Sequence, residues 1–175
     1  DRERILNKAE LGNRDMYGVV LNSLVAPGYW SQPAYNQVNI YPYNPAQAKA
    51  ILDAAGIIDN DNNGIRETVG GGDIVLDFKT TDAAFRAASS AIFVENMAAI
   101  GIQVNVTLVP FDVFFSNDPA ISPLAAGDFD IAEFAWGSYD QNLDDLYAWQ
   151  VYQTGNYQNF GGYSNATVDA EFNAA

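Results

Sequence analysis

Two runs of the chain alternate between apolar and polar residues with the period of two that a β-strand shows. They are residues 73–78 (DIVLDF) and 102–108 (IQVNVTL). The segment between them, residues 83–99, has the length of a helix, with Asp82 as its predicted cap and Gly101 as its end. A strand, a helix and a strand in this order predict a crossover that joins parallel strands.

Further elements extend this pattern towards both ends of the chain. Residues 1–11 have helical spacing, residues 111–116 predict a short helix, and residues 129–136 (FDIAEFAW) predict another strand. The last residues begin an amphipathic helix. We therefore predict an α/β fold, a mixed sheet with flanking helices, in a single domain that covers residues 1–175.

A strongly capped helix is predicted over residues 44–56. Asn44 is its cap, Pro45 suits the first turn, and Gln47 stands at the capping-box position. Gly56 ends it. Apolar residues follow the spacing of a buried helix face, and they are Ala48, Ile51, Leu52 and Ala55.

The loop after this helix is rich in oxygen donors and predicts a calcium site. Its candidate ligands stand at positions 1, 3, 5, 7 and 9 of an EF-hand-like spacing; they are Asp59, Asp61, Asn63, the carbonyl of Ile65, and Glu67. Gly64 fills the sixth position, but Gly70 stands at the twelfth, where an EF-hand has a bidentate Glu. Two interpretations remain open: a structural calcium ion, or an Asx-rich turn that joins helix to strand.

Composition excludes several kinds of chemistry. The chain has no cysteine and no histidine, which removes thiol catalysis, Ser-His-Asp triads, His-ligated zinc and disulfides. The net charge is -14, and residues 87–175 contain no Lys or Arg. Such a half cannot neutralise phosphates, so nucleic acid and anionic membranes are poor partners.

Several segments, in their order along the chain, resemble the extracellular solute-binding proteins of family 5, the peptide- and nickel-type receptors of ABC importers. The matching segments are residues 1–6 (DRERIL), 43–49 (YNPAQAK), 59–67 (DNDNNGIRE), 100–104 (IGIQV), 127–131 (GDFDI) with Trp136, and 159–165 (NFGGYSN). Each motif alone is weak, but together they extend over nearly the whole chain.

The resemblance implies one lobe, domain II, of a two-lobed periplasmic-binding-protein-like receptor of the class II type, excised from a chain about three times longer. The implied function is capture of an extracytoplasmic solute, oligopeptide first and a sugar or other small solute second. The partners would be the missing first lobe and an ABC permease. The implied location is the periplasm or a lipid anchor at the outer face of the cell membrane. Neither enzymatic activity nor a required cofactor is implied.

The predicted ligand-binding residues follow the last predicted strand and are Trp136, Gly137, Ser138, Tyr139 and Asp140. Thirteen of the 23 aromatic residues fall within residues 111–163. In peptide-binding members of the family, an acid three places after the Trp pairs with the peptide's amino terminus. Here that place is Tyr139, and the acid comes one step later, at Asp140. Either a one-residue shift restores the salt bridge, or the ligand lacks an ammonium group.

Two alternatives from other functional classes stay open. A carboxylate-based glycoside hydrolase would use two acids such as Glu133 and Asp140. A calcium-stapled interaction module would depend on the loop at residues 59–67 alone.

Overall fold

The computed structural model describes residues 1–9, 19–22, 38–135 and 150–174. Its helices are α1 (Arg2–Ala9), α2 (Pro45–Ala54), α3 (Ala84–Ala98), α4 (Phe111–Phe114), α5 (Pro123–Ala126) and α6 (Ala166–Ala174). Its strands are β1 (Val75–Thr81), β2 (Gln103–Val109) and β3 (Ile131–Glu133). Among these helices, none combines the length and the apolarity that crossing a bilayer requires.

The three strands form one sheet with β1 in the centre, in the order β2-β1-β3. Both pairings are parallel, with Thr81 opposite Val109 and Thr80 opposite Glu133. The predicted crossover from β1 through α3 to β2 is present, and the predicted α/β class with flanking helices is confirmed. Within the described ranges the three-stranded sheet is parallel throughout, and the antiparallel pairing is an isolated bridge between Glu67 and Asp73, outside the strands.

Helix α3 packs between the sheet and α1, and buries Ser89, Ser90 and Ile92. Its predicted cap is wrong. Ala83, not Asp82, is the N-cap residue, and no side chain caps the helix. The backbone N–H of Asp82 instead donates to the carbonyl of Val109 at 3.0 Å, so Asp82 still belongs to the pairing of β1 with β2.

Helix α2 has its predicted cap but not its predicted buried face. The Asn44 side chain accepts a hydrogen bond from the backbone N–H of Gln47 at 3.0 Å. No residue of α2 is buried, however, and Ile51 is 62% exposed. The helix is held instead by polar contacts at its end, where Asp53 pairs with Arg66. Helical spacing indicates a possible apolar face, and tertiary packing decides whether it is covered.

One cluster of the apolar core lies at the carboxyl end of β2. Val109, Phe114 and Leu124 form a buried cluster. Packed against it are Val113, Phe129, Ala132, Phe134 and Phe160. The alternation of β2 shifts here, because Leu108 is exposed while Val109 enters the core. This shift makes the chain turn inward as it leaves the sheet and begins α4.

Candidate functional site at the carboxyl edge of the sheet

Parallel pairing gathers the amino ends of all three strands at one edge of the sheet and their carboxyl ends at the other. At the carboxyl edge, β1, β2 and β3 end at Thr81, Val109 and Glu133. Ligands of open α/β sheets bind beyond this edge. The predicted ligand-binding residues, Trp136 to Asp140, start three positions after Glu133 and lie outside the described residues. The chain leaves β3 at the carboxyl edge through Phe134 and Ala135, the last described residues before them.

Glu133, the last residue of β3, is held by three side chains. Arg86 donates to its carboxylate at 2.8 Å, and the Ser89 hydroxyl donates to both carboxylate oxygens at 3.0 and 3.1 Å. The hydroxyl of Thr80 donates to the Glu133 backbone carbonyl at 2.8 Å. The Arg86 side chain is only 13% exposed, and its guanidinium lies 4.8 Å from the centre of the Phe85 ring. These contacts fix the point from which the predicted ligand loop departs.

The same contacts bear on the hydrolase alternative. A glycosidase acid must deliver a proton or attack a sugar carbon, and so its carboxyl group must face the substrate. The Glu133 carboxylate instead faces Arg86 and Ser89, which donate hydrogen bonds to both of its oxygens. This geometry favours a structural role for Glu133. The second proposed acid, Asp140, lies outside the described residues.

A continuous series of phenylalanine rings crosses this edge, and we name it the aromatic row. It consists of Phe111, Phe115, Phe114, Phe134 and Phe160. Ring centres lie 4.9 Å apart for Phe111 and Phe115, and 6.0 Å apart for Phe115 and Phe134. One end of the row is open to solvent, since Phe111 is 68% exposed, while Phe114 is completely buried. The aromatic enrichment of residues 111–163 indicated an aromatic surface in this part of the chain. Which rings contact each other depends on the fold.

The segment 150–174 reaches the row through Phe160, whose ring contacts Phe134 edge to face at 5.9 Å. Within the segment, Asn159 accepts from the backbone N–H of Tyr163 and donates to its carbonyl. Asp169 of α6 accepts from the backbone N–H of Thr154 at 2.8 Å, and this hydrogen bond holds the pKa of its carboxyl group below the usual 3.8. These bonds connect α6 to the loop that carries Phe160.

Residues 59–67, which we name the acidic loop, lie at the opposite, amino edge and precede β1. Carboxylate oxygens of Asp59, Asp61 and Glu67 lie within 4.8 Å of one another, so three of the five predicted calcium ligands converge. The Asn63 side chain lies between Asp61 and Asp73. Hard carboxylate and amide oxygens are suitable ligands for calcium. The donor set therefore fits the ion in type, and the calcium site stays a prediction.

Most of these groups also hold the turn together. Asp59 accepts from the backbone N–H groups of Asn63 and Gly64 at 3.1 and 3.0 Å. Asn63 accepts from the N–H of Ile65 at 2.7 Å. The buried carboxylate of Glu67 accepts from the backbone N–H of Asn60 at 2.9 Å. The bond from Ile65 to Asn63 is an Asx turn, and the others are further side-chain bonds to the loop backbone, as the second interpretation requires.

Sequence reasoning missed two residues at this edge. Asp73 accepts from the Asn63 amide at 3.1 Å. The Glu67–Asp73 bridge, which closes a turn that contains three glycines, brings Asp73 next to the acidic loop. Arg66 donates to the carbonyls of Ile57 and Ile100 at 2.5 and 2.8 Å and to the Asp53 carboxylate at 2.6 Å. Arg66 thus joins α2, the acidic loop and the end of α3. The Gly70–Gly71–Gly72 turn was a usable signal for Asp73.

Comparison with known proteins identifies the chain. The family model for bacterial extracellular solute-binding proteins, family 5 Middle, matches residues 1–158. The chain belongs to this family. The resemblance of the sequence motifs is therefore confirmed. A comparison with curated protein sequences returns no match.

Solved structures of family 5 proteins share the fold. The oligopeptide-binding protein AppA from Bacillus subtilis, in complex with a nonapeptide, matches 99% of the chain at a TM-score of 0.76 and 23% identity. A mannohexaose-bound periplasmic oligopeptide-binding protein from Thermotoga maritima matches 98% at 0.76 and 20% identity. NikZ from Campylobacter jejuni, in complex with Ni(L-His), matches 98% at 0.69 and 20% identity.

The family 5 chain described here spans about a third of each of these relatives, namely 33%, 32% and 34% of their lengths. The ligands bound in the three structures differ in class: a peptide, an oligosaccharide and a metal chelate. At such identities the likeness establishes the fold and leaves the ligand of this chain to its own residues.

Proposed function

We propose that residues 1–175 form one lobe of the substrate-binding component of an ABC importer, and that this lobe closes with a second lobe on an extracytoplasmic solute. The match of the family model to residues 1–158 carries the proposal. Coverage of about a third of each solved relative supports the assignment to a single lobe. Closure of two lobes is a hinge motion in which the ligand stabilises the closed state.

The ligand surface of this lobe is proposed at the carboxyl edge, on Trp136, Gly137, Ser138, Tyr139 and Asp140. Two observations support this location. Trp136 stands three positions after the restrained Glu133 in the sequence, and Phe134 of the aromatic row lies at the same edge. A rigid base under a binding loop reduces the entropy that the loop loses when it contacts a ligand.

An oligopeptide is the favoured solute, with Asp140 as the partner of its terminal ammonium group. The net charge of -14 supports a ligand with a cationic group rather than an anionic one. The proposed partner for delivery is an ABC permease. The proposed location is outside the cytoplasmic membrane, in agreement with the extracellular designation of the family.

Binding measurements on the longest natural chain that contains this sequence test the proposal. We expect isothermal titration calorimetry to find tight binding of one class among short peptides, mannohexaose and Ni(L-His), and much weaker binding by residues 1–175 alone. Failure of the full chain to bind any of the three classes would overturn the receptor function.

Substitution of the loop acid tests the peptide assignment separately. Asp140→Asn should weaken binding of a peptide with a free amino terminus about tenfold or more, and should leave an N-acetylated peptide unaffected. Glu171→Gln, on the exposed part of α6, is the charge-matched control. Equal binding of both peptides by the Asp140→Asn protein and the unaltered protein would exclude amine recognition by this residue.

A further inference from the structure

We propose that the open end of the aromatic row, Phe111 with Phe115, binds an apolar or aromatic group of a solute that carries no net negative charge. This inference rests on the proposed receptor function and adds a substrate class to it. Single exposed apolar residues are common on protein surfaces. Here two exposed rings, 68% and 37% exposed, contact each other and continue into the core.

The open rings stand on a rigid base. The buried Ser122 hydroxyl donates to the carbonyl of Phe114 at 2.6 Å, and also accepts from the N–H of Ala125 at 3.1 Å. The N–H of Phe114 donates to the carbonyl of Pro110 at 2.8 Å, and that of Phe115 to the carbonyl of Phe111 at 3.1 Å. Because this base is already ordered, the rings lose little conformational entropy when a solute covers them.

The row also connects the open rings to the predicted ligand loop. Phe115 contacts the ring of Phe134, which stands two positions before Trp136. A solute held by the loop after β3 therefore has an aromatic surface within the same edge of the sheet. This continuity distinguishes Phe111 from other exposed aromatic residues such as Tyr41, which is 75% exposed but lies in the amino-terminal part of the chain.

Charge selects among possible occupants. Asp112 follows Phe111 directly, so an anionic group at the open rings comes near a carboxylate of like charge. A second copy of this chain, with a net charge of -14, would bring like charge to the same surface. A neutral or cationic solute with an apolar side group fits both the rings and the charge.

The test measures binding of the pentapeptides AAFAA, AAAAA and EAFAE, and of mannohexaose, to the full natural chain with and without Phe111→Ala. We expect AAFAA to bind best, and Phe111→Ala to weaken it about tenfold while AAAAA changes less than about twofold. EAFAE should bind worse than AAFAA in both proteins. Phe111→Trp should retain the preference for AAFAA. Tyr41→Ala is the matched control and should change none of these affinities.

Several outcomes overturn the inference. Equal weakening of every probe by Phe111→Ala would mean that the rings contact the remainder of the receptor. A dimer that Phe111→Ala dissociates in sedimentation would mean that they contact a second copy of the chain. No preference for AAFAA over AAAAA also contradicts it. If only mannohexaose binds, the receptor function stands and this inference fails. If nothing binds, the receptor function itself fails.

Discussion

The two edges of the parallel sheet are built on opposite principles. At the amino edge, Asp59 accepts from backbone N–H groups, and the Asn63 side chain donates to Asp73 and accepts from the N–H of Ile65. At the carboxyl edge, Phe111 and Phe115 are exposed to solvent. The hydrogen-bonded pair of Arg86 and Glu133 restrains the end of β3. The polar side chains of the amino edge therefore form hydrogen bonds within their own loop. The other edge leaves part of its aromatic surface exposed.

The largest expected effect separates a buried ring of the aromatic row from an exposed one. Phe114→Ala should lower the free energy of unfolding by about 4 kcal/mol, because the completely buried ring leaves a cavity in the core. Phe111→Ala should change it by less than about 0.5 kcal/mol, since that ring is mostly exposed. Urea unfolding measures both. Similar losses in the two proteins would mean that Phe111 also belongs to the core.

A large effect is also expected at the amino edge. Arg66→Ala should destabilise the protein by about 3 kcal/mol, because carbonyls of Ile57 and Ile100 lose a charged donor. Asp53→Asn is the control and should cost less than about 1 kcal/mol, since the Asp53 side chain is 58% exposed. Solute affinity of the folded Arg66→Ala protein should be unchanged. A selective loss of affinity would break the division between a structural edge and a binding edge.

Calcium tests whether the acidic loop has any ligand. If the ion binds, calcium at a hundredfold excess over its dissociation constant should add about 2.7 kcal/mol to the free energy of unfolding. Melting in calcium and in EDTA measures this difference. Glu67→Gln should remove it, because Glu67 is one of three converging carboxylates. Asp118→Asn should not. Identical melting in calcium and EDTA would leave the loop as a hydrogen-bonded turn.

The sequence predicted what local patterns control. Alternation located β1 and β2, and the Asn44 cap was correct because its partner, Gln47, is three residues away. The covered face of α2 was wrong, because spacing along one helix does not say what packs against it. The Asp82 cap was wrong because Ala83, one residue later, is the N-cap, and Asp82 still pairs through its N–H with Val109 of the neighbouring strand.

The site follows the same division. Convergence of Asp59, Asp61 and Glu67 was predictable from a spacing of eight residues. The pairing of Arg86 with Glu133 was not, because the partners are 47 residues apart and meet only through the register of β1 with β3. The sequence shows that residues 111–163 are rich in aromatic residues, but only the fold distinguishes the buried Phe114 from the exposed Phe111.

A smaller effect is expected from the ion pair at the carboxyl edge. Glu133→Gln should cost about 1–2 kcal/mol, because one charged hydrogen bond is weakened at a partly exposed position. Hydrogen exchange at residues 136–140 should accelerate more than that at residues 59–67. Glu95→Gln, which breaks the exposed pair with Arg4, is the control and should have almost no effect. Uniform acceleration would mean that Glu133 supports the whole lobe rather than the loop.

The smallest effect concerns acid stability of the segment that carries Phe160. The Thr154 N–H lowers the pKa of Asp169 below 3.8, so this bond stabilises the folded state above that pH. The stabilisation is lost as pH falls from 3.8 through the lowered pKa of the folded state. Asp169→Asn should therefore be less stable than the unaltered protein near neutral pH, and the difference should shrink in acid. Glu171→Gln is the control. A difference that stays constant with pH would show that the Asp169 charge does not hold α6 to the carboxyl edge.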